Sequence, residues 1–387
     1  LLFRKDLALW SEINVEYIVF AIWILTFDAL AIIPFSKIRA EGRSIKYAAI
    51  KILNVIIYLF LNVFFLIFLP DIAKESSNPF IQTIYNDDFQ IGYIFVANLI
   101  ASLITLLFVL PDYFKIKWEF DAELWKKMMR YGLPILVAGI AFAINEHFDK
   151  ILLDWMHVDL AAIGAYSACY KIGMFMVLYR TAYTLGIEPF FFSHAKNENA
   201  PQTYATITKY FVIFGSFICL GVIVFADILK LILVPREIYW VAMDVVPLIV
   251  LANFFLGIYT NLSVWYKLIN KTKIGAYISI VGALVTLGLN LLLIPVLSYM
   301  GSAIATIFAY GTMMFISYWL GQKKYPIPYD KKSIFSYLAL AIVLSGLSFY
   351  IEIFRETYIF GIASILFFAF FVYRNEKQTI LTIIKRK

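Results

Sequence analysis

Eleven long apolar stretches, separated by short polar connections, run along this chain of 387 residues. Most of them approach or exceed the ~20 residues that an α-helix needs to cross a bilayer, and none alternates with the period of a barrel strand. The sequence therefore predicts an all-α, polytopic membrane protein. The stretches are residues 17–35, 47–69, 91–110, 131–155, 161–184, 207–229, 240–266, 274–296, 301–320, 334–354 and 358–373.

The polar connections alternate between Lys/Arg-rich and acidic or nearly neutral composition. Because cationic connections are retained on the cytoplasmic side of a membrane, this alternation predicts an orientation. The connection from Lys37 to Lys46 is expected inside, and the one from Asp71 to Asp88 outside. An odd number of helices then puts the first residue outside and the C-terminal tail inside, in a multi-pass protein of the cytoplasmic membrane.

Composition agrees with this class, since 62% of the residues are hydrophobic and only 15% are charged. We interpret the formal net charge of +7 as a topology signal and an attraction to anionic membrane lipids, not as a sign of nucleic-acid binding. Cys169 and Cys219 both lie in apolar stretches, so no disulfide framework is expected.

The first residue, Leu1, is not a start methionine, and the opening residues do not resemble a signal peptide. We expect an N-terminal truncation. If the complete protein begins in the cytoplasm, an odd number of helices is missing.

An internal repeat is indicated when residues 42–67 are laid over residues 270–295. Arg43 then meets Lys271, and Asn62 meets Asn290 inside the apolar run. Two copies running in the same direction predict two lobes, related by a pseudo-two-fold axis, around a central cavity. Residues 1–111 are predicted to be the rest of the N-terminal lobe, with three spans, and residues 124–321 the C-terminal lobe, with six spans. Between them, residues 112–123 are predicted to be a cytoplasmic linker containing Lys115 and Lys117. Residues 333–374 are predicted to form a peripheral helix pair, and residues 375–387 a basic cytoplasmic tail ending in Lys385, Arg386 and Lys387.

Charged and polar residues inside the apolar stretches are the candidate site residues, because a charge in hydrocarbon costs roughly 2.5 kcal/mol or more. The densest group is Asn145, Glu146, Asp149 and Lys150. One interpretation is a helix end with a Glu146–Lys150 ion pair at spacing four. The other is a polar wall of the cavity, with Asn145 and Lys150 on the transport path and the two acids as proton or sodium sites.

The next stretch holds Lys171 near its middle and Arg180 toward its inner end. Nine positions at about 100° each put the two on nearly opposite sides of a helix, and Lys171 is the preferred substrate contact. Arg180 is expected to extend inward or to pair with Glu188. Pro189 is expected to end or kink the helix.

Three further acidic features complete the candidates. Asp28 precedes Pro34 in a helix with a cationic inner end, which favours either a structural ion pair or an ion-coupling role. Asp244 lies just before Pro247, where freed backbone groups often line water-filled space. Asp87 and Asp88, in an outer connection, are the feature of a third hypothesis, a metal-assisted membrane glycosyltransferase or ligase.

Several short motifs are similar to those of a known family. They are Gly132-Leu133-Pro134, Asp149-Lys150-Ile151-Leu152-Leu153, Gly164-Ala165-Tyr166-Ser167-Ala168, Glu188-Pro189-Phe190-Phe191-Phe192 and Gly301-Ser302-Ala303-Ile304-Ala305-Thr306. The chain thereby resembles the polysaccharide-biosynthesis flippases of the multidrug/oligosaccharidyl-lipid/polysaccharide exporter superfamily, most strongly over residues 131–320. It departs from their pattern in its missing first helices and in Lys150, where such proteins often have Arg.

The resemblance implies a transporter, not an enzyme, that moves a lipid-linked oligosaccharide, usually on undecaprenyl pyrophosphate, to the outer leaflet for O-antigen, exopolysaccharide or related surface glycans. It implies alternating access, coupling to H⁺ or Na⁺ with no other cofactor, and a glycan polymerase and glycosyltransferases as partners in the pathway. The alternative is a multidrug antiporter of the same superfamily, which would rely on Asp28, Glu146, Asp149 and Asp244. A positive cavity favours the flippase, and a negative one favours the antiporter.

Overall fold

The computed structural model describes residues 4–11, 13–75, 81, 85–114 and 119–385. The chain forms two compact units, Leu1–Phe120 and Asp121–Lys387. Lys115 and Lys117 of the predicted linker lie outside the described residues. So do Arg386, Lys387 and the side chain of Lys385 in the predicted basic tail.

Within these described ranges the chain is helical and contains no β-strand. Ten of its helices are long and apolar enough to cross a membrane, again counting only the described residues. The predicted class, an all-α membrane helix bundle, is confirmed.

The first unit contains three of these membrane-length helices, and the second of them continues through a π-helical turn, Phe64–Phe68, into a short helix. Its helices are α1 (Arg4–Ser11), α2 (Val15–Ala40), α3 (Ser44–Val63), α4 (Leu69–Glu75) and α5 (Gln90–Val109).

The second unit holds the larger hydrophobic core, which is centred on α7, α8 and α10 of the following series. Its helices are α6 (Ala122–Trp155), α7 (Leu160–His194), α8 (Ala200–Val224), α9 (Ala226–Leu233), α10 (Val246–Leu262), α11 (Val264–Leu268), α12 (Thr272–Lys324), α13 (Lys331–Tyr350), α14 (Glu352–Thr357) and α15 (Ile359–Lys385). A 3₁₀ segment, Glu237–Val245, leads into α10.

Helix α12 is a helical hairpin, which explains why eleven predicted stretches correspond to ten membrane-length helices among the described residues. Its 53 residues are interrupted at Ser298, whose φ of 52° is left-handed. Ser302 donates its hydroxyl to Asn290 Oδ1 at 2.5 Å across 12 positions, whereas a straight helix would separate them by about 18 Å. Gly301 allows this return, because a Cβ there would lie 2.6 Å from the carbonyl oxygen of Leu293.

Two helices of the second unit extend well beyond the apolar stretches that predicted them. Helix α6 begins at Ala122 rather than at residue 131, because Asp121 caps it by accepting hydrogen bonds from the backbone N–H groups of Glu123 and Leu124. Pro189 was expected to end or kink helix α7, and the helix does not end there but continues to His194. A proline inside a helix removes one hydrogen bond, here to the carbonyl of Leu185, and the surrounding packing tolerates this loss.

Ion pairs fasten the two C-terminal membrane helices to the rest of the second unit. At one end, Arg355 of α14 holds Asp227 of α9 through two hydrogen bonds, Nε to Oδ2 at 2.6 Å and Nη2 to Oδ1 at 2.9 Å. Elsewhere, Lys209 of α8 lies 2.8 Å from Glu376 Oε2 of α15. The predicted peripheral pair is therefore bound by charges as well as by apolar packing.

Candidate functional site

Residues of five helices of the second unit, α6, α7, α10, α11 and α12, line an open cavity of about 380 Å³. On α6, on α7 and along the α10–α11 segment, the contributing residues recur at spacings of three and four, which is the spacing of a single helix face. The lining consists of Ile135, Ala138, Gly139 and Phe142 from α6, Arg180, Thr181, Thr184 and Leu185 from α7, Leu256, Tyr259, Thr260, Ser263, Tyr266 and Lys267 from the α10–α11 segment, and Ser279 from α12. The cavity lies toward the helix ends that the charge pattern predicts to be cytoplasmic.

Arg180 is a cation of this cavity that has no ionic partner among the described residues. Its stem passes Gly257, where a Cβ would lie 3.7 Å from the Arg180 Cγ, and its guanidinium carbon is 5.6 Å from the centre of the Phe142 ring. Within the described part of the chain, Arg180 forms no salt bridge. An ionised group in a membrane-spanning segment needs water or a counter-ion, so this cavity is suited to an anion.

Lys267 is the second cation of the cavity, and it has a partner. Its ammonium lies 2.7 Å from Glu188 Oε1. Arg180, Thr184 and Glu188 form one stripe along α7 at spacing four. The expected pairing of Glu188 with Arg180 is therefore wrong, because Lys267 reaches the carboxylate from a separate helix.

Asn145 and Asp149 lie together in a buried polar cluster, as their spacing predicts. Asn145 Oδ1 accepts a hydrogen bond from Thr286 at 2.5 Å, and Asp149 Oδ2 accepts one from Tyr166 at 2.7 Å. Both residues are almost fully buried, with exposures of 1% and 2%. The Nδ2 of Asn145 has no hydrogen-bond partner among the residues that the structure describes, so it is an unsatisfied donor within them.

The expected ion pair between Glu146 and Lys150 does not form among the described residues. The Lys150 ammonium instead lies 4.8 Å from the centre of the Tyr170 ring. A cation–π contact of this kind replaces the pair because α6 packs beside α7 at this height. Glu146 is half-buried.

The remaining candidate residues belong neither to the cavity lining nor to the buried polar cluster. Lys171 is exposed and does not line the cavity that Arg180 lines, in keeping with their opposite positions on α7. Asp28 is exposed in the first unit. Asp244 is 59% exposed, and its Oδ1 lies 4.0 Å from Nη1 of Arg355, the residue that also binds Asp227. The roles predicted for these three residues, and the cavity predicted between the lobes, stay predictions.

The acidic connection that suggested a metal site contains a short 3₁₀ helix, Asp87–Phe89. Asp87 accepts a hydrogen bond from Tyr85. Across the described residues, no group of three or more His, Cys, Asp or Glu side chains is placed to hold a metal ion.

Sequence reasoning missed Lys267 as a site residue and treated Glu188 only as a partner for Arg180. Lys267 reads as part of a cytoplasmic connection, since it follows the end of an apolar stretch. The spacing of Arg180, Thr184 and Glu188 was a usable signal, but it is visible only if the helix is continued beyond the predicted stretch, which ends at Thr184, as far as Glu188.

Comparison with known proteins connects this geometry to transporters. The MatE family model matches residues 134–292, which contain most of the cavity and of the polar cluster. The chain is also 23% identical, over 225 residues, to the "Probable multidrug resistance protein YoeA" of Bacillus subtilis (strain 168). That alignment covers 54% of this chain and 47% of YoeA, so the chain spans about half the length of this curated relative.

Solved structures extend the likeness to most of the chain. Lipid II flippase MurJ in an inward closed conformation superposes with a TM-score of 0.65 and 14% identity, over 93% of this chain and 74% of MurJ. The Vibrio cholerae MATE transporter VcmN in the bent form gives a TM-score of 0.60 and 16% identity, over 90% of this chain and 75% of VcmN. The chain has the fold of the MATE and MurJ transporters. By the family match and by this fold, the chain is similar to membrane transporters of the exporter superfamily that the sequence motifs resemble.

Proposed function

We propose that this MATE/MurJ-like protein is a flippase that carries a lipid-linked oligosaccharide, held by its diphosphate group, across the cytoplasmic membrane by alternating access. The observation that carries the proposal is the cavity charge. Arg180 and Lys267 line the cavity, and its lining contains no acidic residue among the described positions. A positively charged cavity favours an anionic substrate.

Physical chemistry connects such a cavity to this substrate class. A diphosphate loses its hydration on entering a membrane protein and needs cationic partners, and Arg is suited to phosphate oxygens because its donors form a planar fork. The hydroxyl groups of Thr181, Thr184, Thr260 and Ser263 add polar lining that suits sugar hydroxyls. A polyprenyl tail can remain in the surrounding lipid throughout.

The test is transport by the full-length protein in liposomes, with a fluorescent oligosaccharide on a polyprenyl diphosphate and a quencher that reaches only the outer leaflet. Arg180→Gln should slow translocation by about tenfold or more, because a charge-assisted contact of roughly 1.5–3 kcal/mol is lost. Arg180→Lys should retain part of the rate. Lys323→Gln is the matched control, since Lys323 is an exposed cation over Trp319 and does not line the cavity. Equal rates for wild type and Arg180→Gln would overturn the proposal.

A multidrug antiporter is the second candidate, and the sequence comparisons favour it over the flippase. The matching family model is MatE, and the curated relative is named a probable multidrug resistance protein. In this candidate, buried Asp149, with Tyr166 and the unsatisfied amide of Asn145, would couple H⁺ or Na⁺ to the export of organic cations.

The two candidates separate in one pair of assays. The antiporter should export a cationic dye such as ethidium from cells, and Asp149→Asn should abolish that export while Asp154→Asn, an exposed acid of the same helix, should not. The flippase should move the diphosphate-linked substrate and leave the dye in the cell. Dye export without translocation of the lipid would establish the second candidate.

A further inference from the structure

We infer that Glu188 is a displaceable counter-ion of Lys267. Lys267 leaves the Glu188 carboxylate to bind the incoming diphosphate, and it pairs with Glu188 again when the substrate leaves. This inference rests on the proposed flippase function. It assigns Glu188 a positioning role in substrate release, with no direct contact to the substrate.

Lys267 lies at the border between two spaces. It lines the large cavity with Arg180, and it also lines an adjoining small pocket of about 10 Å³ in which Glu188 lies. Glu188 does not line the large cavity. Rotation of the lysine side chain therefore moves its ammonium from the carboxylate to the cavity without any movement of a helix.

The Lys267–Glu188 pair is open enough to exchange partners. The side chains are 24% and 37% exposed, and partly exposed ion pairs contribute little to stability because water screens them. The flexible four-carbon stem of lysine suits such an exchange. Arg180 differs, since its stem and guanidinium pack against Gly257 and Phe142.

Two cations with different mobility allow the cavity to bind a diphosphate and still release it. A cavity that holds a diphosphate through two permanent cations would bind it tightly and release it slowly. A carboxylate that competes for one of them lowers the affinity and speeds release. Removing the carboxylate's charge should therefore tighten binding and reduce turnover.

The experiment measures binding of farnesyl diphosphate to the full-length protein in phosphatidylcholine nanodiscs, together with the translocation assay. Glu188→Gln should bind on the order of tenfold more tightly than wild type and turn over more slowly at saturating substrate. Lys267→Gln should bind more weakly. In the Lys267→Gln background, adding Glu188→Gln should give no further tightening, because the effect acts through Lys267.

Two control variants test whether the change in affinity is specific to the charge of Glu188. Glu123→Gln removes an acid whose side chain is 79% exposed and paired with Lys127, and it should leave affinity unchanged. Glu188→Asp keeps the charge and should bind like wild type, which covers the case in which Glu188→Gln folds poorly. Unchanged affinity in Glu188→Gln, or equal tightening with and without Lys267, would overturn the inference while the flippase stands. Wild-type protein that binds no farnesyl diphosphate would overturn both.

Discussion

Ser302 donates a hydrogen bond to Asn290 across the fold of a single 53-residue helix. Both residues are completely buried. The contact closes the α12 hairpin, and Asn290 Nδ2 also donates to the carbonyl of Thr286, whose own hydroxyl reaches Asn145. The hairpin and the buried polar cluster are therefore one network, so weakening either should weaken the other.

Ser302→Ala should destabilise the protein by about 1–3 kcal/mol, because it leaves Asn290 Oδ1 without its donor in a dry environment. Thermal unfolding in detergent, followed by loss of monodisperse protein, measures the effect. Ser193→Ala is the control, since Ser193 is exposed and bonds only within its own helix turn. Equal melting temperatures for the two variants would show that the hairpin does not depend on this contact.

Gly257→Ala should distort the cavity by way of Phe211. A Cβ at this position would lie 2.6 Å from Phe211 Cζ and 3.7 Å from Arg180 Cγ, so the ring has to move. We expect a loss of about 1–3 kcal/mol in stability and a reduced transport rate. Gly288→Ala, where nothing lies within 4 Å of the added carbon, should be neutral or slightly stabilising. A Gly257→Ala protein as stable and active as Gly288→Ala would contradict the packing described.

Lys209→Met should be strongly destabilising, by about 3–5 kcal/mol, because it leaves the buried carboxylate of Glu376 without its ionic partner. The Glu376 side chain is only 6% exposed and also accepts a hydrogen bond from Tyr337 at 3.0 Å. The double variant Lys209→Met/Glu376→Gln should recover part of this loss, since the unpaired charge is gone. Unfolding midpoints of the three proteins test the idea, and it fails if the double variant is less stable than the single one.

Acid should loosen the contact between Arg355 and Asp227. Burial raises the pKa of Asp227, but the hydrogen bonds and charges of Arg355 and Lys230 outweigh it and hold the pKa below its ordinary value. A carboxyl with a lowered folded pKa stabilises the protein above the unfolded pKa of about 3.9, and this stability is lost as pH falls through the lower folded value.

The stability difference between wild type and Asp227→Asn should therefore be largest near pH 6 and shrink below about pH 4. Chemical unfolding across this range measures it. Asp71→Asn, an exposed acid of the first unit, should show no such trend. A difference that grows toward low pH would mean that the pKa of Asp227 is raised, not lowered.

Periodicity predicted much of the local site geometry. Asn145 and Asp149 share a buried face, and Arg180 and Lys171 point apart, because residues on one helix obey a fixed rotation per position. Helix ends were predicted less well. Asp121 begins α6 upstream of the apolar stretch, and α7 continues through Pro189, since capping and neighbouring helices decide where a helix stops.

Ion pairing escaped prediction altogether. Arg180 was expected to extend inward or to pair with Glu188, and one of the two interpretations paired Glu146 with Lys150. Glu188 instead bonds to Lys267, 79 positions away, and Lys150 lies over the ring of Tyr170. An ion pair between residues of two different helices depends on how those helices pack, and the spacing of residues along either helix does not predict that packing.

The sequence by itself determined that this chain is a bundle of membrane helices, because the length and apolarity of each stretch are local properties that a bilayer recognises without reference to other stretches. Tertiary structure alone decided which charges are satisfied. It gave Lys267 a carboxylate and left Arg180 without one in the described residues. The reason is that the energy of a charge depends on its distance to an opposite charge, and only the packed helices set that distance.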